Sequence, residues 1–256
     1  METLAHADHV TSTSNATTIG VGDASVSTIE HLMAALYVFG VNNARVEIDG
    51  PEVPAMDGSA ASFAGLLASA GLHEQAATQP VIEMLRTIEI ADGNRRISIE
   101  PARQLHVVYA IDFEHQAIGH QRIEIEHMDR ANFVQDIARA RTFGFLSQVE
   151  AMREAGLARG GSLGNTIVLD DGGVVNEGGL RWPDEFVRHK VLDLIGDLSL
   201  LGAPVLGRVC VERGGHALHH RLVSQIVQTR DAWRWSVGRS RSGQSQVTEH
   251  PKIASH

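Results

Sequence analysis

His189, Asp193 and Asp197 recur every fourth residue in the segment His189-Lys190-Val191-Leu192-Asp193-Leu194-Ile195-Gly196-Asp197. On an α-helix such residues stand on one face, a turn apart. A His and a carboxylate at that spacing can clamp one Zn²⁺ from the same side, although the same pattern also describes a polar stripe that faces water. Glu30-His31 sits inside an otherwise apolar stretch. Adjacent helical residues point about 100° apart, so the pair suits a division of labour in which His31 ligates a metal and Glu30 reaches the water on it. Zinc hydrolases need that combination: three protein ligands, an open fourth position, and a carboxylate to take the water's proton. Gly214-Gly215-His216 lets the backbone approach a ligand closely before a histidine. His216 could protonate a leaving amine or steady an oxyanion, and a hydrogen bond to Asp197 would keep its imidazole charged. His219 and His220 follow and read as helix-surface residues. In Arg141-Thr142-Phe143-Gly144-Phe145 a hydroxyl between a cation and two rings could donate to a tetrahedral oxyanion. A buried turn with packed aromatics is the plainer reading of that segment.

These residues need elements to hold them. Ile29, Leu32, Met33 and Leu36 predict a helix over 27–39, capped by Ser27 or Thr28. Residues 43–49 alternate as a strand, and Pro51, Pro54 and Gly58 precede a second helix at about 59–69. Segments 81–90, 94–100, 105–113 and 121–127 read as strands, with Asp92-Gly93 turning a hairpin between the first two. Helices are expected at about 130–139, 147–156, 184–201 and 216–228, and strands at 165–170, 174–176, 204–212 and 233–237. Residues 1–25 carry no clear periodicity, and the Ser/Arg/Gln-rich stretch from Gly238 is expected to be disordered.

Composition narrows the function classes. The chain of 256 residues has a formal net charge of −9, which argues against nucleic acid as a partner. One cysteine, Cys210, excludes an intrachain disulfide and a Cys-rich zinc module. No apolar run is long enough to span a bilayer, and no basic-then-apolar leader opens the chain. A cytoplasmic protein without stable membrane insertion is expected, of undetermined oligomeric state.

Six ordered blocks carry a resemblance to a known family. They are Ser27-Thr28-Ile29-Glu30-His31-Leu32, Pro51-Glu52-Val53-Pro54-Ala55-Met56-Asp57-Gly58-Ser59, Ala140-Arg141-Thr142-Phe143-Gly144-Phe145, Gly160-Gly161-Ser162, Asp184-Glu185-Phe186-Val187-Arg188-His189-Lys190-Val191-Leu192-Asp193 with Gly196-Asp197-Leu198, and Gly215-His216-Ala217-Leu218. The chain resembles the UDP-3-O-acyl-N-acetylglucosamine deacetylases, zinc enzymes of lipid A biosynthesis, from about Thr11 to Val237.

The resemblance implies Zn²⁺ on His31, His189 and Asp193, Glu30 as general base, and His216 supported by Asp197 as the second catalytic group. It implies Thr142 at the oxyanion, and Lys190 with Arg213 near the diphosphate of an acylated UDP-N-acetylglucosamine. Arg213 stands where the family has a lysine, which keeps the charge and changes its geometry. Phe143, Phe145, Gly161 and Ser162 would lie near substrate, on or beside a passage-forming insert at about 144–174. The implied fold is α+β, with two domains, each a β-sheet packed against a pair of helices, and the active site between them. They would span 1–78 and 79–237, ahead of a tail at 238–256. The family ordinarily opens with further strands and a helix, so the first domain is expected to be shortened at its N-terminus. Two other readings stay open: a zinc amidase of the same fold acting on another N-acyl sugar, and a non-catalytic, zinc-stabilised homologue. Fe²⁺ could occupy the same ligands.

Overall fold

The computed structural model describes residues 2–147 and 162–237. Most of the expected helix at 147–156, Gly161 and the tail at 238–256 lie outside the described residues. The fold is mixed α+β. A small antiparallel sheet comes first, from β1 (Val10–Ser12), β2 (Thr18–Val21) and β3 (Ala24–Val26). The helices α1 (Glu30–Phe39) and α2 (Ala61–Ala70) follow.

The large sheet has seven strands: β4 (Pro80–Met84), β5 (Ile88–Asp92), β6 (Arg95–Pro101), β7 (Leu105–Asp112), β8 (His120–Ile125), β12 (Val205–Glu212) and β13 (Trp233–Val237). β12 is its centre. It runs antiparallel to β6 and parallel to β7 through residues 207–212, and parallel to β4 at Val205 and Leu206. Its alternating burial is that of a strand with one covered face. A third, three-stranded sheet joins β9 (Phe143–Phe145), β10 (Ile167–Asp170) and β11 (Gly173–Val174).

Two further helices, α3 (Glu185–Leu198) and α4 (His216–Gln228), pack beside each other. α3 lies against β7 and β8, and α4 against β5 and β6. α3 is buried nearly all round, because α1 crosses its other side. A helix in that position can carry polar groups only where they meet partners. The crossing is close at Gly196, where an added Cβ would lie 2.2 Å from the Glu30 carbonyl oxygen. The missing side chain therefore lets the first turn of α1, with Glu30 and His31, sit directly on the face that holds Asp193 and Asp197.

Several expectations need correction. Residues 43–49 form no strand. All but Ile48 are exposed, and alternation makes a strand only where a neighbour accepts its ladder bonds. The helix expected from residue 27 starts at Glu30 with Ile29 at its N-cap, because Thr28 is left-handed at φ 58°. Its end is conventional, with Gly40 at φ 74° donating to the carbonyls of Leu36 and Tyr37. The segment at 81–90 is two strands with different partners, split at residues 85–87. Residues 130–139 hold one short turn, Arg130–Asn132, that widens into a π-helix over Phe133–Ile137. The predicted hairpin at Asp92-Gly93 is present, with Asp92 opposite Arg95.

Candidate metal centre and active site

His31, on the first turn of α1, meets His189 and Asp193 of α3. Their ligand atoms all lie within 4.8 Å of one another, and all three side chains are buried. The Asp193 Oδ1 atom accepts no hydrogen bond. Its neighbours are the Nε2 atoms of His189 at 3.3 Å and His31 at 3.7 Å. His189 donates its Nδ1 hydrogen to the Ala140 carbonyl at 3.0 Å, which leaves Nε2 as a bare lone pair. Burial first, then the neighbouring His189, pushes His31 down to about 3, so its imidazole is neutral. Burial likewise lowers the His189 pKa, Asp193 notwithstanding. Burial opposes ionisation of Asp193 too, but His189 and the Lys190 ammonium hold its carboxyl far below the usual range.

Two neutral imidazoles and a carboxylate thus meet at one point, with the His189 Nε2 lone pair beside the unbonded Asp193 oxygen. Without a cation this arrangement would be costly. Ligand atoms roughly 2.0–2.2 Å from a tetrahedral ion stand roughly 3.3–3.5 Å apart, so the observed spacing fits a small divalent metal. The Ala140 carbonyl behind His189 is the orienting partner that metal-bound histidines commonly have.

Beside this cluster, Glu30 and His216 face each other, with Glu30 Oε1 3.8 Å from His216 Nε2. His216 Nε2 also stands 3.9 Å from Asp193 Oδ2, so the pair adjoins the candidate metal ligands. Thr17 anchors both sides. Its backbone N–H donates to Glu30 Oε2 at 3.1 Å, and its hydroxyl donates to Asp197 Oδ1 at 2.6 Å. His216 Nδ1 donates to Asp197 Oδ2 at 2.8 Å.

Burial pushes the Glu30 carboxyl up to about 7, although His216 opposes the rise. For His216, burial disfavours the imidazolium, but Asp197, Asp193 and Glu30 outweigh it and raise the pKa to about 9. Burial would also raise Asp197, yet His216 and its hydrogen bonds bring it down to about 2. The arrangement combines a carboxylate poised near neutrality with an imidazolium held by a second carboxylate. That is the pairing general acid–base chemistry uses.

The remaining expected residues spread outward from this centre. Thr142 is half-buried and tightly framed: its N–H donates to the Gly58 carbonyl and its own carbonyl accepts from Ile167, both at 2.8 Å. Arg141 beside it is locked onto buried Glu185 by backbone and side-chain bonds of 2.9–3.1 Å. Lys190 Nζ bonds Asp193 Oδ2 at 3.0 Å and lies 5.4 Å from the Phe143 ring centre. Phe143 packs edge-on against Phe186 and Phe113 and faces the His189 ring at 6.3 Å. Phe145 contacts Phe113 and His115 farther out. Arg213, at φ 52°, pairs with Asp112 at the loop that leads to His216. Ser162 is exposed and bonded to Asn165, with no described contact to the cluster. Gly161 lies outside the described residues.

Three residues absent from the expected set matter here: Thr17, Tyr109 and His219. His219 is fully buried, in contrast to its expected place on the helix surface. A readable signal existed, since His219, Leu222, Val223 and Ile226 form an i, i+3, i+4, i+7 stripe and all are buried. Thr17 offered none, because it stands in a stretch without periodicity.

Comparison with known proteins points to one family. The family model described as UDP-3-O-acyl N-acetylglycosamine deacetylase matches residues 1–228. A UDP-3-O-acyl-N-acetylglucosamine deacetylase of Myxococcus xanthus (strain DK1622) is 51% identical over 221 residues, 86% of this chain and 70% of the relative. That of Phenylobacterium zucineum (strain HLK1) is 52% identical over 217 residues, 84% of this chain and 74% of the relative. A third, from Geobacter sp. (strain M21), is 48% identical over 229 residues, covering 90% and 75%. A buried His/His/Asp triad able to hold a metal, an adjoining carboxylate–imidazole pair and a match that runs through all of these residues have one reading: the chain belongs to the UDP-3-O-acyl N-acetylglycosamine deacetylase family.

Proposed function

We propose that the protein hydrolyses the N-acetyl group of a UDP-3-O-(3-hydroxyacyl)-N-acetylglucosamine, giving acetate and the 2-amino sugar nucleotide, and that its metal is Zn²⁺. The reaction belongs to lipid A biosynthesis, and a nucleotide-sugar substrate puts the work in the cytoplasm. The single observation behind this reading is the convergence of His31, His189 and Asp193 with Glu30 and His216, 3.8 Å apart. When bound, the ion supplies Lewis acidity toward the acetyl carbonyl and brings water closer to ionisation at neutral pH.

Glu30, its Oε2 held by Thr17, takes a proton from the attacking water at its other oxygen. His216, charged and held by Asp197, donates from Nε2 to the developing oxyanion or to the departing nitrogen. Thr142 adds a hydroxyl donor for that oxyanion. The C–N bond breaks, the water oxygen stays on acetate, and the water's proton reaches the amine through Glu30 or His216. Lys190 and Arg213 meet the diphosphate, and Phe143, Phe145, Gly161 and Ser162 lie near substrate.

Acetate release from the acylated UDP-sugar, set beside release from UDP-N-acetylglucosamine itself, tests the proposal. A buried chain contributes up to about 0.8 kcal/mol per CH₂, so kcat/KM should be far higher for the acylated substrate. Equal turnover of both favours an amidase for other N-acyl sugars. Release from neither, with metal restored, favours the non-catalytic reading. Reloading chelated protein with Zn²⁺ or Fe²⁺ separates the metals.

A further inference from the structure

His219 is chemically engaged at both ring nitrogens, and neither partner is one of the three proposed metal ligands. Its Nδ1 lies 2.8 Å from Asp197 Oδ2, the same oxygen that His216 Nδ1 contacts. Its Nε2 lies 2.9 Å from the Tyr109 hydroxyl, on the buried central part of β7. The tautomer follows from the partners. A carboxylate oxygen can only accept, so His219 carries its proton on Nδ1, and Nε2 accepts from the phenol. Burial keeps His219 neutral and the Tyr109 phenol protonated, in agreement with that assignment. The loop before His216 is fitted to the same phenol, since a Cβ on Gly214 would stand 2.5 Å from the Tyr109 oxygen. Tyr109 therefore meets the acid–base pair twice, through His219 and through the backbone that delivers His216.

We propose that His219, braced by Tyr109, is a positioning residue: its Nδ1–H pins Asp197 Oδ2 so that His216 presents Nε2 toward Glu30. Asp197 receives three donors, from Thr17, His216 and His219. Thr17 comes from the loop before β2 and His216 from the start of α4, while His219, one turn along α4, is tied through Tyr109 to β7. Without it, Asp197 keeps only Thr17 on Oδ1 and His216 on Oδ2, so its carboxylate is less tightly oriented and His216 has a less fixed acceptor. This inference rests on the proposed hydrolase reading.

The test uses full-length, metal-loaded protein and the variants His219→Leu, His219→Asn, Tyr109→Phe and the double variant His219→Leu/Tyr109→Phe. Loss of an orienting partner behind a catalytic group typically lowers activity roughly 10–100-fold. His219→Leu should therefore lose about that much kcat, with KM and metal content unchanged. His219→Asn restores an N–H near the Nδ1 position and should recover most of the loss, even if its melting temperature matches that of the Leu variant. Tyr109→Phe should cost a few-fold in kcat alone and nothing further once His219 is Leu. A His219→Leu variant within twofold of wild-type kcat overturns the proposal, as does an Asn variant no better than Leu.

If His219→Leu does not fold, the gentler Tyr109→Phe decides: unchanged kcat overturns the proposal, and a few-fold loss at constant KM supports it. A readout independent of turnover comes from protein labelled with ¹⁵N-histidine. Exchange of the His216 Nδ1–H should quicken at least tenfold in His219→Leu, and an unchanged rate overturns the proposal. Absence of acetate release by the wild type, with a quickened exchange in the variant, would strike the hydrolase reading and leave the pin intact.

Discussion

α3 carries two buried aspartates one turn apart, and their surroundings are opposite. Asp193 keeps one oxygen without a hydrogen bond, faced by the Nε2 atoms of two neutral imidazoles, that of His189 a bare lone pair. Asp197 is saturated, with a hydroxyl on one oxygen and two imidazole N–H groups on the other. Both clusters bring three possible ligand atoms within 4.8 Å, so proximity does not separate them. Proton placement does. Where the hydrogens already fill the space between donors and acceptor, the carboxylate holds an imidazolium. Where lone pairs meet lone pairs, a cation is required.

The largest expected effect removes the unsatisfied side of this contrast. Asp193→Ala or His189→Ala should abolish measurable acetate release, whereas Asp197→Ala should leave residual turnover. Equal residual rates in the two aspartate variants would erase the distinction. Next in size, Glu30→Gln should retain metal and lose roughly 10²–10⁴-fold in kcat, as general-base removal does. A Gln variant with near wild-type kcat would move the base elsewhere.

A smaller effect concerns the saturated side and is read as stability of metal-free protein against pH. The folded pKa of His216 is raised from 6.5 to about 9. Its contribution is therefore fully present below pH 6.5 and is lost as pH rises through 9. The loss is on the order of 3 kcal/mol, some of it shared with the coupled carboxylates. Melting curves at pH 6 and pH 10 should show this decline in the wild type and much less of it in His216→Gln. An equal decline in both would assign it to other groups.

The smallest expected effect is at the crossing that joins the two clusters to α1. Gly196→Ala forces a Cβ against the Glu30 carbonyl and should cost about 1–3 kcal/mol of stability. It should also lower kcat by displacing Glu30 and His31 together. Unchanged stability and rate would mean that the crossing is looser than 2.2 Å implies.

The candidate residues were more legible in the sequence than the frame that brings them together. Helical spacing put His189 and Asp193 on one face, where a metal site and a polar stripe both stayed open, and Glu30-His31 stood out by its place in an apolar helix. The contact between them did not, because Gly196 reads as an indifferent helix residue until α1 is laid across it. Thr17 was invisible for another reason. It acts through its backbone N–H as much as its hydroxyl, and β1 to β3 around it are too short for alternation to register. His219 was misplaced because charge-capable residues at a helix start suggest solvent, while its apolar stripe pointed inward. Residues 43–49 err the other way, with clear alternation and no neighbouring strand among the described residues.

The central claim is that His31, His189 and Asp193 hold a metal while the neighbouring aspartate does not. Its most direct test is elemental analysis of wild type, Asp193→Ala and Asp197→Ala, purified in parallel and equilibrated with equimolar Zn²⁺ before desalting. The account predicts about one Zn²⁺ per chain in the wild type and in Asp197→Ala, and little in Asp193→Ala. Full occupancy in Asp193→Ala, or equal loss in both variants, would contradict it.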